Sequence, residues 1–332
     1  MTSRLKSQGF TLGLFLMVLL AAYFPSFGAT GGILKAEFTT KIAIALIFLL
    51  QGLTLNSRKL LSSVVNLRLH VFCQSWIFLL SPLLMIGIVF ICDPWIPANI
   101  RPGLLFLSVL PTTILSSTVF TANSNGDAAA ALFSATFSNL IGVLATPLWC
   151  LALFSTANSA FPPVGSLIAK IALYILLPIA LGQILRQWKP LQPFAQSRLL
   201  KRLNNGLILF IIYAAFCDSF ANNVWIGFSP TSFVAASLIA TLFLVALSIL
   251  VWVTSPLSSI EYDQRIAAFF CGSQKTLAAG VPMASVIFAG QSGNLQESLI
   301  ILPLMIYHAL QLFLAGILSG NFSSETQAQS KD

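Results

Sequence analysis

No Asp, Glu, Lys or Arg occurs between Asp127 and Lys170, nor between Asp218 and Glu261. Uncharged apolar runs of about 18 residues or more are long enough to cross a hydrocarbon core of roughly 30 Å as helices. In lipid every backbone N–H and C=O must be satisfied internally, which leaves helices or a closed barrel. Barrel strands alternate in polarity over about ten residues, whereas Ile42 to Leu50 is an unbroken apolar run. The whole chain is 57% hydrophobic and 8% charged, against roughly 25% charged in soluble domains. The expected class is therefore an all-α polytopic membrane protein whose main partner is the lipid bilayer.

The formal net charge of +8 does not point to nucleic acid, because the basic residues sit in short clusters between apolar runs, the pattern of membrane topology. Cys73, Cys92, Cys150, Cys217 and Cys271 are odd in number, lie in or at the ends of apolar runs and form no CxxC pair. They argue against a disulfide framework and against a zinc site. Arg4 and Lys6 ahead of Phe10 to Ala22 resemble the start of a secretory signal. No small-residue cleavage site follows, so a first membrane anchor is the simpler reading.

Cutting the chain at polar or Pro/Gly-rich joints predicts ten spans, at 9–28, 37–56, 69–92, 103–125, 128–154, 165–187, 204–222, 232–254, 265–289 and 297–319. With the N-terminus inside, the outer segments hold only Lys35, Lys41, Arg101 and Lys170. The inner ones hold Arg4, Lys6, Arg58, Lys59, Arg68, Arg186, Lys189, Arg198, Lys201, Arg202, Arg265 and Lys331. This bias places both termini in the cytoplasm, with the protein in a plasma membrane, the inner membrane in a bacterium. The joint at Phe161, Pro162 and Pro163 leaves five spans on each side, predicting two inverted five-helix repeats over 1–160 and 161–332. Two faint echoes agree in order. Asn125-Gly126-Asp127 before span five resembles Ser292-Gly293-Asn294 before span ten, and Ser81-Pro82 in span three resembles Ser255-Pro256 after span eight.

The fourth member of each half is interrupted. Span four carries Pro111 ahead of a hydroxyl run that includes Ser116, Ser117 and Thr118. Span nine reads Cys271-Gly272-Ser273-Gln274-Lys275-Thr276, followed by Gly280 and Pro282. Proline removes a donor and glycine permits unwinding, so backbone groups are freed at membrane depth. Paired interruptions at corresponding positions point to a midplane site. Tight kinked packing with back-bonded hydroxyls would leave the same trace.

Lys275 is the sharpest residue, since an ammonium near a bilayer centre costs at least about 2.5–3.5 kcal/mol. It either occupies a cation position or loses a proton during turnover; a snorkelling or structural lysine is the plainer alternative. With Ser273, Thr276 and Ser116 it forms the candidate coupling and substrate group. Gln74 in span three and Ser134, Thr136, Ser138 and Asn139 in span five are further oxygen-bearing groups. They suit a hard cation such as Na⁺, or simple inter-helix hydrogen bonding. His308 reads as a packing residue and His70 as an interface residue.

These motifs resemble the bile acid:sodium symporter family, solute carrier family 10, and most of all its branch around member 7. The resemblance runs through Phe269 to Leu277 with Gly280-Val281-Pro282-Met283. It continues through Leu302-Pro303-Leu304-Met305-Ile306-Tyr307-His308 with Gln311-Leu312, through Gln51-Gly52-Leu53, Arg68-Leu69-His70, and Asn125 to Ala129. It implies ten helices in a panel and a core domain, the core holding two crossed, discontinuous helices. In the sodium-coupled members two Na⁺ ions lie behind the crossing and an organic anion binds in the cavity between domains. Carried over by motif, a Na⁺ site region would fall at Gln74, Ser117, Thr118, Ser138, Asn139 and Gln274. Thr118 departs from the usual asparagine. The acidic ligand of span nine falls at Phe270 and the following asparagine at Lys275, which shifts the formal charge from −1 to +1 and puts sodium coupling in question.

The leading expectation is a secondary transporter of a small organic anion working by alternating access, with Na⁺ or H⁺ as coupling ion. A positive Lys275 and the N-termini of broken helices favour an anion. The alternative is a non-transporting membrane regulator of calcium or ion homeostasis. An enzyme is not expected: no HExxH, GxSxG or paired acidic motif lies in the spans. No cofactor is expected beyond the candidate Na⁺, and the sequence is compatible with a monomer.

Overall fold

The computed structural model describes residues 2–55, 66–154, 164–188, 197–225, 229–291 and 293–329. The joint at Phe161, Pro162 and Pro163, and with it the boundary between 1–160 and 161–332, lies outside the described residues. So do Ser292, Arg58, Lys59, Lys189 and Lys331.

Among the described residues the regular structure is entirely helical. The first elements are α1 (Thr2–Tyr23), the short α2 (Pro25–Gly28) and α3 (Ala36–Thr54). Next, α4 (Leu67–Ser75) runs through a π segment, Trp76–Leu80, into α5 (Ser81–Ile91). They are followed by α6 (Arg101–Ser108), α7 (Ile114–Asn123) and α8 (Ala128–Phe154). Then α9 (Val164–Ile171) runs through a second π segment, Ala172–Leu176, into α10 (Leu177–Arg186). The chain continues with α11 (Arg198–Ala221), α12 (Pro230–Thr254), α13 (Tyr262–Ser273), α14 (Leu277–Ile287) and α15 (Glu297–Gln329).

Seven helices among the described residues are long and apolar enough to cross a membrane, which makes this a polytopic membrane protein. The expected spans at 103–125 and 265–289 are not among the seven because each is two short helices. One is interrupted at 109–113 between α6 and α7, the other at 274–276 between α13 and α14. In the first span the apolar part is the shorter Leu12–Tyr23. Large apolar side chains such as Phe90, Leu148, Leu238 and Phe313 are well exposed, as a lipid-facing surface requires.

The chain forms two compact units. The first comprises Met1–Leu55, Ser155–Pro230 and Val281–Ile301. Here α3 and α10 approach closely: a Cβ on Gly52 would strike the Ile179 carbonyl, and one on Gly182 the Leu49 carbonyl, the small-residue contact of membrane helices. The Gln183 amide donates to the Leu55 carbonyl at 2.9 Å, and Arg186 to the Leu53 and Thr54 carbonyls at 2.7 and 2.9 Å. These donors satisfy the orphan carbonyls at the end of α3 and place a cation at its negative end.

The second unit comprises Asn56–Phe154, Thr231–Gly280 and Leu302–Asp332. Its core includes Leu69, Cys73, Ile77, Ala131, Ala135, Ala267, Ala268 and Cys271. With so little side-chain volume, α13 packs directly on α4 and α8. An aromatic cluster of Phe120, Trp252, Phe269, Phe270 and Phe322 lies beside it.

Candidate functional site

Both interruptions lie in the second unit, and they meet. As α6 ends, the Val109 and Leu110 N–H groups reach back only to the Phe106 and Leu107 carbonyls, at 3.3 and 3.5 Å, and Pro111 offers no N–H to continue. The carbonyls thus freed find partners elsewhere. Ser108 O accepts from Ser81 Oγ at 2.9 Å and Val109 O from Thr146 Oγ1 at 2.8 Å. Thr112 O accepts from Asn139 Nδ2 at 2.8 Å, and the Thr112 N–H donates to Ser138 Oγ at 3.2 Å. At the other break Tyr307 donates its hydroxyl to the Ser273 carbonyl at 2.6 Å. Gln311 receives the Lys275 N–H at 2.8 Å and donates to the Lys275 carbonyl at 2.9 Å. The two breaks join where the Thr276 N–H donates to the Pro111 carbonyl at 2.9 Å.

Lys275 is fully buried and does not reach an interface. Its Nζ donates to three backbone carbonyls: Ile77 at 3.0 Å, Ser108 at 2.7 Å and Leu110 at 3.0 Å. The availability of Ile77 O follows from the sequence. In the π segment the Ser81 N–H bonds to Trp76 O, and the next residue, Pro82, has no N–H to give. The same proline leaves Phe78 O without its i+4 donor, and Trp149 Nε1 supplies one at 2.7 Å. Ser108 and Leu110 lie at the carboxyl end of α6, where carbonyls are orphaned and the helix dipole is negative. Three acceptors match the three N–H donors of an ammonium.

The residues singled out from the sequence take different places. Gln274 sits at the crossing, its Oε1 accepting from Thr113 Oγ1 and Ser116 Oγ at 2.5 and 2.6 Å. Ser138 and Asn139 hold the backbone of the first break. Ser117, Thr118 and Ser273 bond back to their own preceding turns, to the carbonyls of Thr113, Ile114 and Phe269, and Thr276 contributes its backbone N–H. Gln74 donates to the Ser134 carbonyl at 3.1 Å, while Ser134 Oγ lies 2.7 Å from His70 Nδ1. His308 Nδ1 lies 3.0 Å from Gln311 Nε2. Three buried polar atoms, Gln74 Oε1, Thr112 Oγ1 and Gln274 Nε2, make no hydrogen bond.

A pair of sodium ions would find no carboxylate in this set. Hard cations want several oxygens free to coordinate, and here most of the hydroxyl and amide groups are hydrogen-bonded within the protein, while Gln74 Oε1 and Thr112 Oγ1 make no hydrogen bond. Where a carboxylate would balance the charge, Phe270 is buried against Phe120, Phe269 and Phe322.

The carbonyls of Ile77, Ser108 and Leu110 were not readable as site groups, since a backbone acceptor leaves no residue-type signature. The one available signal was Pro82, five residues after Ile77. Tyr307 and Gln311 carry no signal in the sequence beyond their place in a motif, and the geometry makes them the braces of the second break. In the first unit a smaller polar group also escaped notice. Ser285 Oγ donates to Glu297 Oε1, Ser219 and Ser298 share a hydroxyl hydrogen bond, and Gln296 Nε2 donates to Ser219 Oγ at 3.3 Å.

The profile of the SBF-like CPA transporter family matches residues 8–324. An uncharacterized protein of Pseudomonas aeruginosa is 31% identical over 320 residues, 96% of this chain and 94% of that one. The sodium/bile acid cotransporter 7-B of Xenopus laevis is 30% identical over 95% of this chain and 91% of its own length. The sodium/bile acid cotransporter 7 of Rattus norvegicus is 30% identical over 95% and 92%. The transporter family also bears out the expectation that the chain is not an enzyme. The profile covers both interrupted helices, and the chain belongs to the SBF-like CPA transporter family.

Proposed function

We propose that the protein is a secondary active transporter that moves a small organic anion across the membrane by alternating access, driven by a Na⁺ or H⁺ gradient. The observation that carries this reading is the junction of the two breaks through the Thr276 N–H and the Pro111 carbonyl. Irregular backbone at membrane depth is tolerated where it is buried in protein or lines a cavity, and it is the usual construction of transporter sites. The half-helix α7 begins there with no side-chain cap on its N-terminus, a positive helix end suited to an anionic group. Relatives named as cotransporters agree with solute movement.

The reading includes ten spans in two inverted repeats, 1–160 and 161–332, with both termini cytoplasmic. Its support is the membership of the two units. The first gathers the expected spans one, two, six and seven with the end of span nine and the start of span ten, and the second gathers three to five, eight and the larger parts of nine and ten. Each unit thus takes equivalent members from both halves, as a panel and a core would.

Uptake by proteoliposomes of a panel of small organic anions, under separately imposed Na⁺ and H⁺ gradients, tests the proposal. Saturable, gradient-dependent uptake of at least one anion, reduced at least tenfold by Gln274→Ala, is expected. No uptake of any anion under either gradient, together with an altered calcium flux in cells, would replace the transporter with the regulator.

A further inference from the structure

We infer that Lys275 is a tethered cation: its ammonium fills a cage of backbone carbonyls that would otherwise hold a free monovalent ion, and the second unit keeps its helix crossing without sodium. The inference deepens the transporter reading, on which its consequence for coupling rests. Four observations converge. Nζ has three carbonyl oxygens, from Ile77, Ser108 and Leu110, at 2.7–3.0 Å. The side chain is fully buried. Each carbonyl is freed by a separate device: the π segment and Pro82 for Ile77, the end of α6 for Ser108, the break at Pro111 for Leu110. No carboxylate is among the three partners of Nζ, and Asp93, Asp127, Glu261 and Asp263 of the second unit lie in its joints or at a helix start. A ring of carbonyls replacing a hydration shell is how proteins strip and hold a monovalent cation. Here the cation arrives on a side chain and cannot dissociate. A cage set at ammonium distances also prefers an ammonium-sized ion to a smaller one. Transport is accordingly independent of sodium, which leaves the proton gradient of the two coupling ions.

The test uses the purified full-length chain in detergent. Wild-type protein should unfold at the same temperature in sodium chloride and choline chloride at equal ionic strength. Lys275→Ala vacates the cage and should lower the midpoint by about 5–15 °C. Methylammonium chloride should restore at least half of that loss with saturable dependence, and choline, too large for the cage, should restore none. A saturable rise of the wild-type midpoint with sodium overturns the inference, and so does a folded Lys275→Ala protein indifferent to methylammonium. Should the variant not fold, the wild-type sodium titration alone decides. These readouts need no substrate, so a failure of the transporter reading appears separately, as absent uptake with the amine rescue intact. If uptake occurs and requires sodium, the cage fails as an explanation of coupling.

Discussion

The interruption at 109–113 and the one at 274–276 occupy corresponding places in the two proposed halves, yet their backbones are satisfied in different ways. The first presents acceptors: four successive carbonyls, Ser108 to Pro111, receive donors from α5, α8 and the second break. The second presents donors to that backbone, the Lys275 ammonium and the Thr276 N–H, while its Gln274 Oε1 accepts from Thr113 and Ser116 and Tyr307 and Gln311 attend to the Ser273 and Lys275 carbonyls. Similar placement in the chain thus ends in complementary chemistry, and the crossing closes on itself. Two like breaks would each need outside ions or water to satisfy them. A donor break facing an acceptor break needs far less.

Removing the donor should show this most strongly. Lys275→Met takes the ammonium from the Ile77 and Leu110 carbonyls and leaves Ser108 O with Ser81 alone, and is expected to cost about 3–5 kcal/mol, with loss of uptake. A thermal midpoint within 2 °C of wild type would break the comparison, because the first break would then not depend on the second. Gln311→Leu strips both backbone groups of Lys275 of their partners, and about 2–4 kcal/mol follows from two orphaned buried groups. Its uptake should fall as well, and an unchanged denaturation curve would mean that the second break supports itself. Tyr307→Phe removes only the bond to the Ser273 carbonyl and should cost about 1–2 kcal/mol, read as a small shift of the same curve. Thr118→Val is expected to change stability by less than about 0.5 kcal/mol, since the hydroxyl bonds to its own preceding turn. A large loss of uptake in Thr118→Val would instead restore the side chain to a ligand role.

Charge-free runs and their spacing made the membrane class legible, and Pro111 marked the first break closely. In span nine the expected unwinding between Gly272 and Pro282 narrows to three residues, for Gly272 and Pro282 both lie inside helices. Packing explains one of them, since a Cβ on Gly272 would sit 3.0 Å from the Val251 side chain. Here glycine reports a close approach and not a bend. The depth of Lys275 was readable from its place within span nine, but its acceptors were not. Hydroxyls that read as ligands, Ser117 and Thr118 among them, had a nearer partner one turn back, and sequence alone gives no way to choose between the two.

The carbonyl cage also sets an order of assembly. Ile77, Ser108 and Leu110 precede Lys275 by 198, 167 and 165 residues. At synthesis rates of about 5–20 residues per second, roughly eight to forty seconds pass between them. Throughout that interval the third and fourth spans are in place with their freed carbonyls lacking the amine. The early part of the chain is therefore finished by the late part, and a nascent chain halted before span nine would carry an uncompensated negative pole within its membrane segments.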